Sequence, residues 1–212
     1  MRNLNLIAKF SYVKITIQNV YEKQAMKLSA GDPAPLFNLV DVFERPVDLS
    51  QNTGKKTLVA FFRNVACPFC NLRVYELLKA SERLKKEGLE MIFFFESKKR
   101  VILRSSFHQE IAPIPLLSDP EREWYKKYGT ERSPLGMVKT IFNSEASKAK
   151  RRAVGMGLPD SGDTKGTTGN LMPAEFLLGP DLKVEYVHYA KHLNDRIPLK
   201  QLEQYAASGL KA

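Results

Sequence analysis

The chain predicts an α/β fold: a three-layer sandwich in which a central sheet of mixed direction is flanked by helices. Three observations predict it. Between residues 57 and 117, β-rich apolar runs alternate with segments of helical period, the order that gives parallel strands. Gly179-Pro180-Asp181 then joins two later β-type runs into a hairpin, which adds an antiparallel pair. Finally, 212 residues at 43% hydrophobic content suffice for one well-buried domain with extensions, and are short for two.

Residues 1–27 are expected to form an N-terminal arm outside the fold. Met1–Ala25 is basic, with Arg2, Lys9, Lys14 and Lys23 against Glu22 alone. It lacks the continuous apolar stretch and small-residue cleavage site of a secretory signal. Met26-Lys27-Leu28 offers an alternative start. The folded domain is expected over 28–212, with a helix–loop insertion at about 134–170.

Within that domain, Gly31-Asp32-Pro33-Ala34-Pro35 is extended, because its two prolines exclude a helix. Phe37 to Val42 alternates apolar and polar as a strand does, and Val47-Asp48-Leu49 is its return after a turn. Thr57 to Phe62 is apolar on both faces, as expected of a central parallel strand. From Pro68 to Lys86, Leu72, Tyr75, Leu78 and Leu84 recur at helical spacing, and Gly88 supplies the stop. Met91 to Phe95 is a second fully apolar strand. Lys98 to Gln109 reads as one helix and Ile114 to Leu117 as a strand. Glu121 to Tyr128 reads as a short helix with Asp119-Pro120 as its N-cap and first residue.

Met137 to Arg152 reads as one helix, basic toward the end where the dipole favours cations. Gly155 to Asn170 carries five glycines and reads as a flexible loop, too long for an ordinary connection. Ala174–Leu178 and Lys183–Tyr189 are the hairpin strands, and Pro198 to Ala207 is the last helix.

The chemistry concentrates at Cys67-Pro68-Phe69-Cys70, which holds both cysteines of the chain and stands where a strand gives way to a helix. In the first helical turn, Cys67 would meet unpaired N–H groups and the positive end of the dipole, which favour thiolate. Cys70, one turn on, lies on the same face and can close a small disulfide ring. A low-pKa nucleophile with a resolving thiol is the minimum equipment for thiol–disulfide exchange. Two cysteines do not make a structural disulfide framework, so a cytoplasmic protein with a reactive dithiol is the simpler expectation.

Other readings compete with this one. Cys67 and Cys70 with His188 and His192 offer two thiolates and two imidazoles, but the pairs lie far outside a zinc-finger interval. The net charge of +10 raises nucleic acid as a partner. The basic runs at 98–104 and 148–152 carry no interleaved aromatics for base stacking, and solvated helix faces explain them. No stretch approaches the ~20 apolar residues of a membrane span. His108 reads as a surface histidine, and Trp124 with Tyr128 as a helix packing face. Arg63 has two readings: it holds Cys67 as a thiolate, or it caps the strand end at the surface.

The residues resemble the thioredoxin superfamily, and most closely its alkyl hydroperoxide reductase/thiol-specific antioxidant, or peroxiredoxin-like, branch. The segments that carry the resemblance are Gly31-Asp32-Pro33-Ala34-Pro35, Phe61 to Cys70, Pro115 to Asp119 with Tyr128-Gly129, and Met172 to Asp181. It implies a thioredoxin-like sandwich, with Cys67 aligned to the attacking cysteine and Cys70 to a resolving one. It further implies that Pro173 is held in cis facing the cysteines, so that the backbone of Met172 meets an extended substrate. The chain departs from the family pattern in three places. Ala60 and Asn64 stand where a proline and a Thr/Ser are usual, and Pro173 where an arginine is usual.

The expected function is therefore that of a thiol–disulfide oxidoreductase or thiol-dependent peroxide reductase. Cys67 and Cys70 are catalytic, and Pro173, Met172, Arg63, Asn64 and Pro68 support the site. The departures tilt this expectation toward disulfide exchange. No cofactor or metal is required, and an external dithiol of thioredoxin or glutathione type would reduce the pair. A homodimer is compatible with the sequence. The alternative is a redox-sensing interaction protein whose dithiol switches partner binding.

Overall fold

A computed structural model describes residues 27–208, so the arm expected over 1–27 lies, apart from Lys27, outside the described residues. The first alternating segment folds back as a small antiparallel hairpin, β1 (Asn38–Val40) with β2 (Pro46–Asp48). The main sheet is built from β3 (Lys56–Phe62), β4 (Leu89–Phe95), β5 (Leu116–Ser118), β6 (Ala174–Leu178) and β7 (Val184–Tyr189). Their order is β5-β4-β3-β6-β7. β3, β4 and β5 run parallel, while β6 and β7 are antiparallel to their neighbours, so the sheet is mixed as the element order predicts.

Strand alternation explains why β3 and β4 are apolar throughout. Leu58, Ala60 and Phe62, with Met91, Phe93 and Phe95, enter one core, while Val59 and Phe61, with Ile92 and Phe94, enter the other. Both faces are thus buried, and each of these side chains larger than Ala60 contributes about 1.5–3 kcal/mol by leaving water. The first core lies under three helices: α1 (Pro68–Lys86), α6 (Ser144–Gly155) and α7 (Leu199–Ser208). The second is closed by the β1–β2 hairpin and by α4 (Glu123–Lys127), whose Tyr125 meets Phe61 edge-on at 5.0 Å.

Helix boundaries depart from expectation where a side chain intervenes. Residues 98–109 form two single turns, α2 (Lys99–Ile102) and α3 (Ser106–Gln109). Ser105 between them is extended, and its Oγ lies 2.7 Å from His108 Nδ1. The long helix expected at 137–152 is likewise two, α5 (Pro134–Ile141) and α6. Asn143 breaks it by turning extended and accepting the Ala146 N–H at 2.9 Å, an N-cap that restarts the helix. Asp119 does cap α4, but from four residues away: its carboxylate accepts the Glu123, Trp124 and Tyr125 N–H groups, so the helix starts at Glu123 rather than at Pro120.

His108 is not on the surface. It is fully buried edge-on to Phe95 and Phe107, and burial holds it down at about 4, so it is neutral at pH 7. The period of α3 is too short to show from sequence which face is inward.

Candidate active site

The site forms where β3 and β4 end. Phe62 and Phe95 are partners in the parallel register, so the chain leaves both strands at one edge of the sheet. There the Glu96 N–H donates to the Arg63 carbonyl at 3.1 Å. Arg63-Asn64-Val65-Ala66 turns the chain, with the Asn64 side chain accepting the Ala66 N–H at 3.1 Å and the Cys67 N–H reaching the Asn64 carbonyl. Pro68 then opens α1 as its first residue, which suits a ring that lacks a donor and fixes φ.

Cys67 is therefore the N-cap of α1, one position earlier than a place in the first turn, and its Sγ accepts the Cys70 N–H at 3.4 Å. Arg63 Nη1 approaches the same sulfur at 3.7 Å. Both cysteines are free thiols and almost wholly buried. Burial pushes the Cys67 thiol up, but the Cys70 side chain, the Arg63 charge, the Cys70 N–H and the Arg196 charge together outweigh it. The group is held down at about 6. Near neutral pH the thiolate is the favoured form. Cys70 goes the other way, raised by burial and by Cys67 beside it. One sulfur is favoured as thiolate and the other as thiol.

Arg63 is 8% exposed, so it is no surface cap of the strand end. Its Nη2 donates to the Gly169 carbonyl at 2.5 Å, and its main-chain N–H donates to Cys70 Sγ at 3.4 Å. Three consecutive residues of the glycine-bearing loop each hold part of the site. Thr167 Oγ1 accepts from Asn64 Nδ2 at 3.2 Å, the Thr168 N–H donates to Glu96 Oε2 at 2.8 Å, and Gly169 holds Arg63. Glu96 is buried, with Arg122 Nη1 at 3.7 Å from Oε2. Burial raises its carboxyl despite the Thr168 N–H and the two arginines. The segment read as a flexible loop is thus tied down at its second half.

In front of Cys67 lies an open cleft of about 560 Å³, lined by Arg63, Asn64, Phe69, Lys150 and Thr167 among others. Met172 and Pro173 do not line it. The structure corrects the expectation placed on them, because the described residues contain no cis peptide bond. The Met172 N–H donates to the Glu131 carbonyl at 2.9 Å, and its side chain is buried in the core. The Met172 N–H is therefore already taken within the chain and is not presented to a substrate. His188 bonds Asp195 and His192 faces Asn143, and the described residues bring no group of three metal-ligating side chains together.

Sequence reasoning missed Glu96, Thr168, Gly169 and Arg196. Glu96 did leave a signal. A charged residue directly after five apolar residues of a parallel strand is expected at the carboxyl edge of the sheet, beside the end of β3.

The profile of the AhpC/TSA family matches residues 30–187. The chain is 30% identical to peroxiredoxin Bcp of Escherichia coli K12 over 111 residues, which cover 51% of this chain and 70% of that protein. Among solved structures, the peroxidoxin BcpB of Mycobacterium tuberculosis superposes with a TM-score of 0.60 at 14% identity, covering 87% of this chain and 99% of that one. The AhpC of Mycobacterium bovis superposes with a TM-score of 0.58, also at 14% identity, covering 88% and 97%. These likenesses in structure show the thioredoxin-like peroxiredoxin fold. Among the described residues, no helix is long and apolar enough to cross a membrane.

Proposed function

The chain belongs to the AhpC/TSA family, and on that premise we propose that Cys67 is the nucleophile of a thiol-dependent peroxide reductase in which Cys70 is the resolving thiol. The protein is an oxidoreductase acting on peroxides. The tilt toward disulfide exchange drawn from Ala60, Asn64 and Pro173 gives way to this, and so does the redox-sensing alternative.

The observation that carries the assignment is the placement of Cys67 at the N-cap of α1 with Arg63 Nη1 at 3.7 Å, opening on a cleft. In the reaction the Cys67 thiolate attacks one peroxide oxygen. The O–O bond breaks, the distal oxygen leaves as hydroxide or alkoxide and takes up a proton, and Cys67 becomes a sulfenic acid. Arg63 Nη1, already beside the sulfur, is the donor placed to stabilise the charge that grows on the leaving oxygen. Asn64, bonded to both Ala66 and Thr167, keeps the turn before Cys67 in shape. Cys70 then forms the disulfide with Cys67, and a thioredoxin-type dithiol in the cytoplasm reduces it.

The test is steady-state consumption of hydrogen peroxide and an alkyl hydroperoxide with a dithiol donor. Cys67→Ser should lower turnover by at least about a hundredfold. Cys70→Ser should still consume about one equivalent of peroxide per chain and then stop. A Cys67→Ser variant that keeps wild-type turnover would move the nucleophile elsewhere.

A further inference from the structure

We propose that α5 is a docking helix for an anionic lipid surface: its outward apolar face enters the headgroup boundary, and a rim of unpaired cations holds it there. The proposal is independent of the chemistry assigned to Cys67.

A helix on a protein surface ordinarily turns its apolar stripe to the core. α5 does the reverse. Gly136 and Thr140 are buried, while Leu135, Val138, Ile141 and the adjoining Phe142 are 62%, 47%, 70% and 84% exposed. Positions 135, 138 and 142 follow the i, i+3, i+7 spacing of one helix face, with Ile141 at its edge. Among the described residues eight large apolar side chains are exposed, and four of them stand together in this short segment. Single exposed apolar residues need no partner, whereas a contiguous set marks an interaction site.

The inversion is built into the packing. A Cβ at Gly136 would meet Met172 Sδ at 2.6 Å and the Lys191 carbonyl at 3.2 Å, so the helix backbone lies directly on its neighbours. Thr140 Oγ1 accepts the Leu193 N–H at 2.9 Å and donates to the Gly136 carbonyl at 2.8 Å. Ser133 caps the start by accepting the Gly136 N–H at 2.9 Å. Rotating α5 to bury Leu135 or Phe142 would drive a large side chain into a gap with no room for a Cβ, and would break the Thr140 bonds.

The charges around this face indicate what covers it. Arg132 precedes α5, Lys139 is the only charged residue within it, and Lys191 passes its carbonyl close to Gly136. α6 follows, and both helices pack on the first core, α5 through Met137 and α6 through Ala146. Their outward faces therefore look away from the same core. Arg151 is on the outward face of α6, opposite Ala146 and Ala153. These four cations are exposed, and none forms an ion pair among the described residues. The acids nearest in the chain are already matched, Glu131 with Lys27 at 3.1 Å and Glu145 with Lys148 at 2.7 Å.

An apolar stripe rimmed with cations complements a bilayer of anionic headgroups. At eight residues α5 is too short to cross that bilayer, so it lies along the surface. A second copy of the chain fits less well. A stable interface takes roughly 800 Å² from each partner. What the four side chains do not supply would come from the rim, where like charges would face each other. A nucleic acid would match the cations and leave the apolar face uncovered.

The experiment is co-sedimentation of the reduced full chain with vesicles of phosphatidylglycerol and phosphatidylcholine in equal parts, and of phosphatidylcholine alone. Binding to the anionic vesicles should be about tenfold tighter, and it should weaken as salt rises. Ile141→Ser with Phe142→Ser should lower it about tenfold. Lys139→Gln with Arg151→Gln should cost about fivefold for each cation removed. Circular dichroism of both variants should match that of wild type, since all four side chains are exposed. A separate readout is Phe142→Trp, whose fluorescence should shift to the blue when anionic vesicles are added. In wild type the one tryptophan, Trp124, packs on the second core and should not shift. Should the serine variant not fold, this shift carries the test.

Equal affinity for both kinds of vesicle, or none for either, would overturn the proposal. So would binding that the serine changes leave intact and the glutamine changes abolish, which marks a general polyanion site. A dimer by light scattering that the serine changes dissociate, with no vesicle binding, would assign the face to a second copy instead.

Discussion

Arg73 and Arg63 are both buried arginines, one within α1 and one just before it, yet their hydrogen bonds are used differently. Arg73 meets Glu175 through two parallel bonds, 2.7 Å from Nε and 3.0 Å from Nη2, and the main chain of Ile197 closes the ring from both sides. Both carboxylate oxygens of that pair are bonded, and it joins α1, β6 and the segment before α7. Arg63 and Glu96 are joined only through the main chain and the loop at 167–169. Among the described residues, buried Arg63 Nε and Glu96 Oε1 have no hydrogen-bond partners, and Arg63 turns Nη1 to a sulfur. A closed ion pair fixes geometry and has nothing left for chemistry. An open one holds a charge ready for an anion that appears only when Cys67 ionises.

If this contrast is right, the two arginines fail in different ways. The largest effect should come from Arg73→Ala, which strands Glu175 in the core. Denaturant unfolding should report a loss of about 3–5 kcal/mol, and the double change Arg73→Met with Glu175→Leu should recover most of it. An Arg73→Ala protein of wild-type stability would end the view of this pair as the structural one. Arg63→Met should lower peroxide turnover about ten- to a hundredfold while the folded population at 25 °C stays intact. A stability loss as large as that of Arg73→Ala, with turnover per folded molecule unchanged, would erase the distinction. The smallest effect should be that of Glu96→Ala, which leaves the Thr168 N–H unmatched and loosens the loop by about 1–3 kcal/mol. Hydrogen exchange at Thr168 should accelerate, and unchanged protection there would detach Glu96 from the site.

The same contrast shows what a sequence can reveal. β3 and β4 were legible because burial on both faces leaves an unbroken apolar run, and α1 because Pro68 and Gly88 mark its ends. Cys67, Cys70 and Arg63 were legible because eight consecutive residues contain all three. The breaks at Ser105 and Asn143 were not, since a side chain that bonds the backbone competes with helix formation only in its local geometry. Glu96 left a faint trace at a strand end. Arg196 left none: it sits in an irregular segment, which the anchoring of Ile197 by Arg73 and Glu175 fixes against α1. Pro173 misled, because the resemblance transferred a conformation that the bond before it does not adopt here.

The central claim is that Arg63 and the start of α1 keep Cys67 ionised inside the protein. It is tested most directly by titrating thiolate absorbance near 240 nm in Cys70→Ser and in the same variant with Arg63→Gln. The first should half-ionise well below the free-thiol value of about 8.5, though less far below it than the intact dithiol, because the Cys70 side chain that helps hold Cys67 down is altered. The second should rise by about one unit or more, since removing a cation disfavours the thiolate. Half-ionisation near the free-thiol value in the first, or coincident curves for the two, would contradict the account.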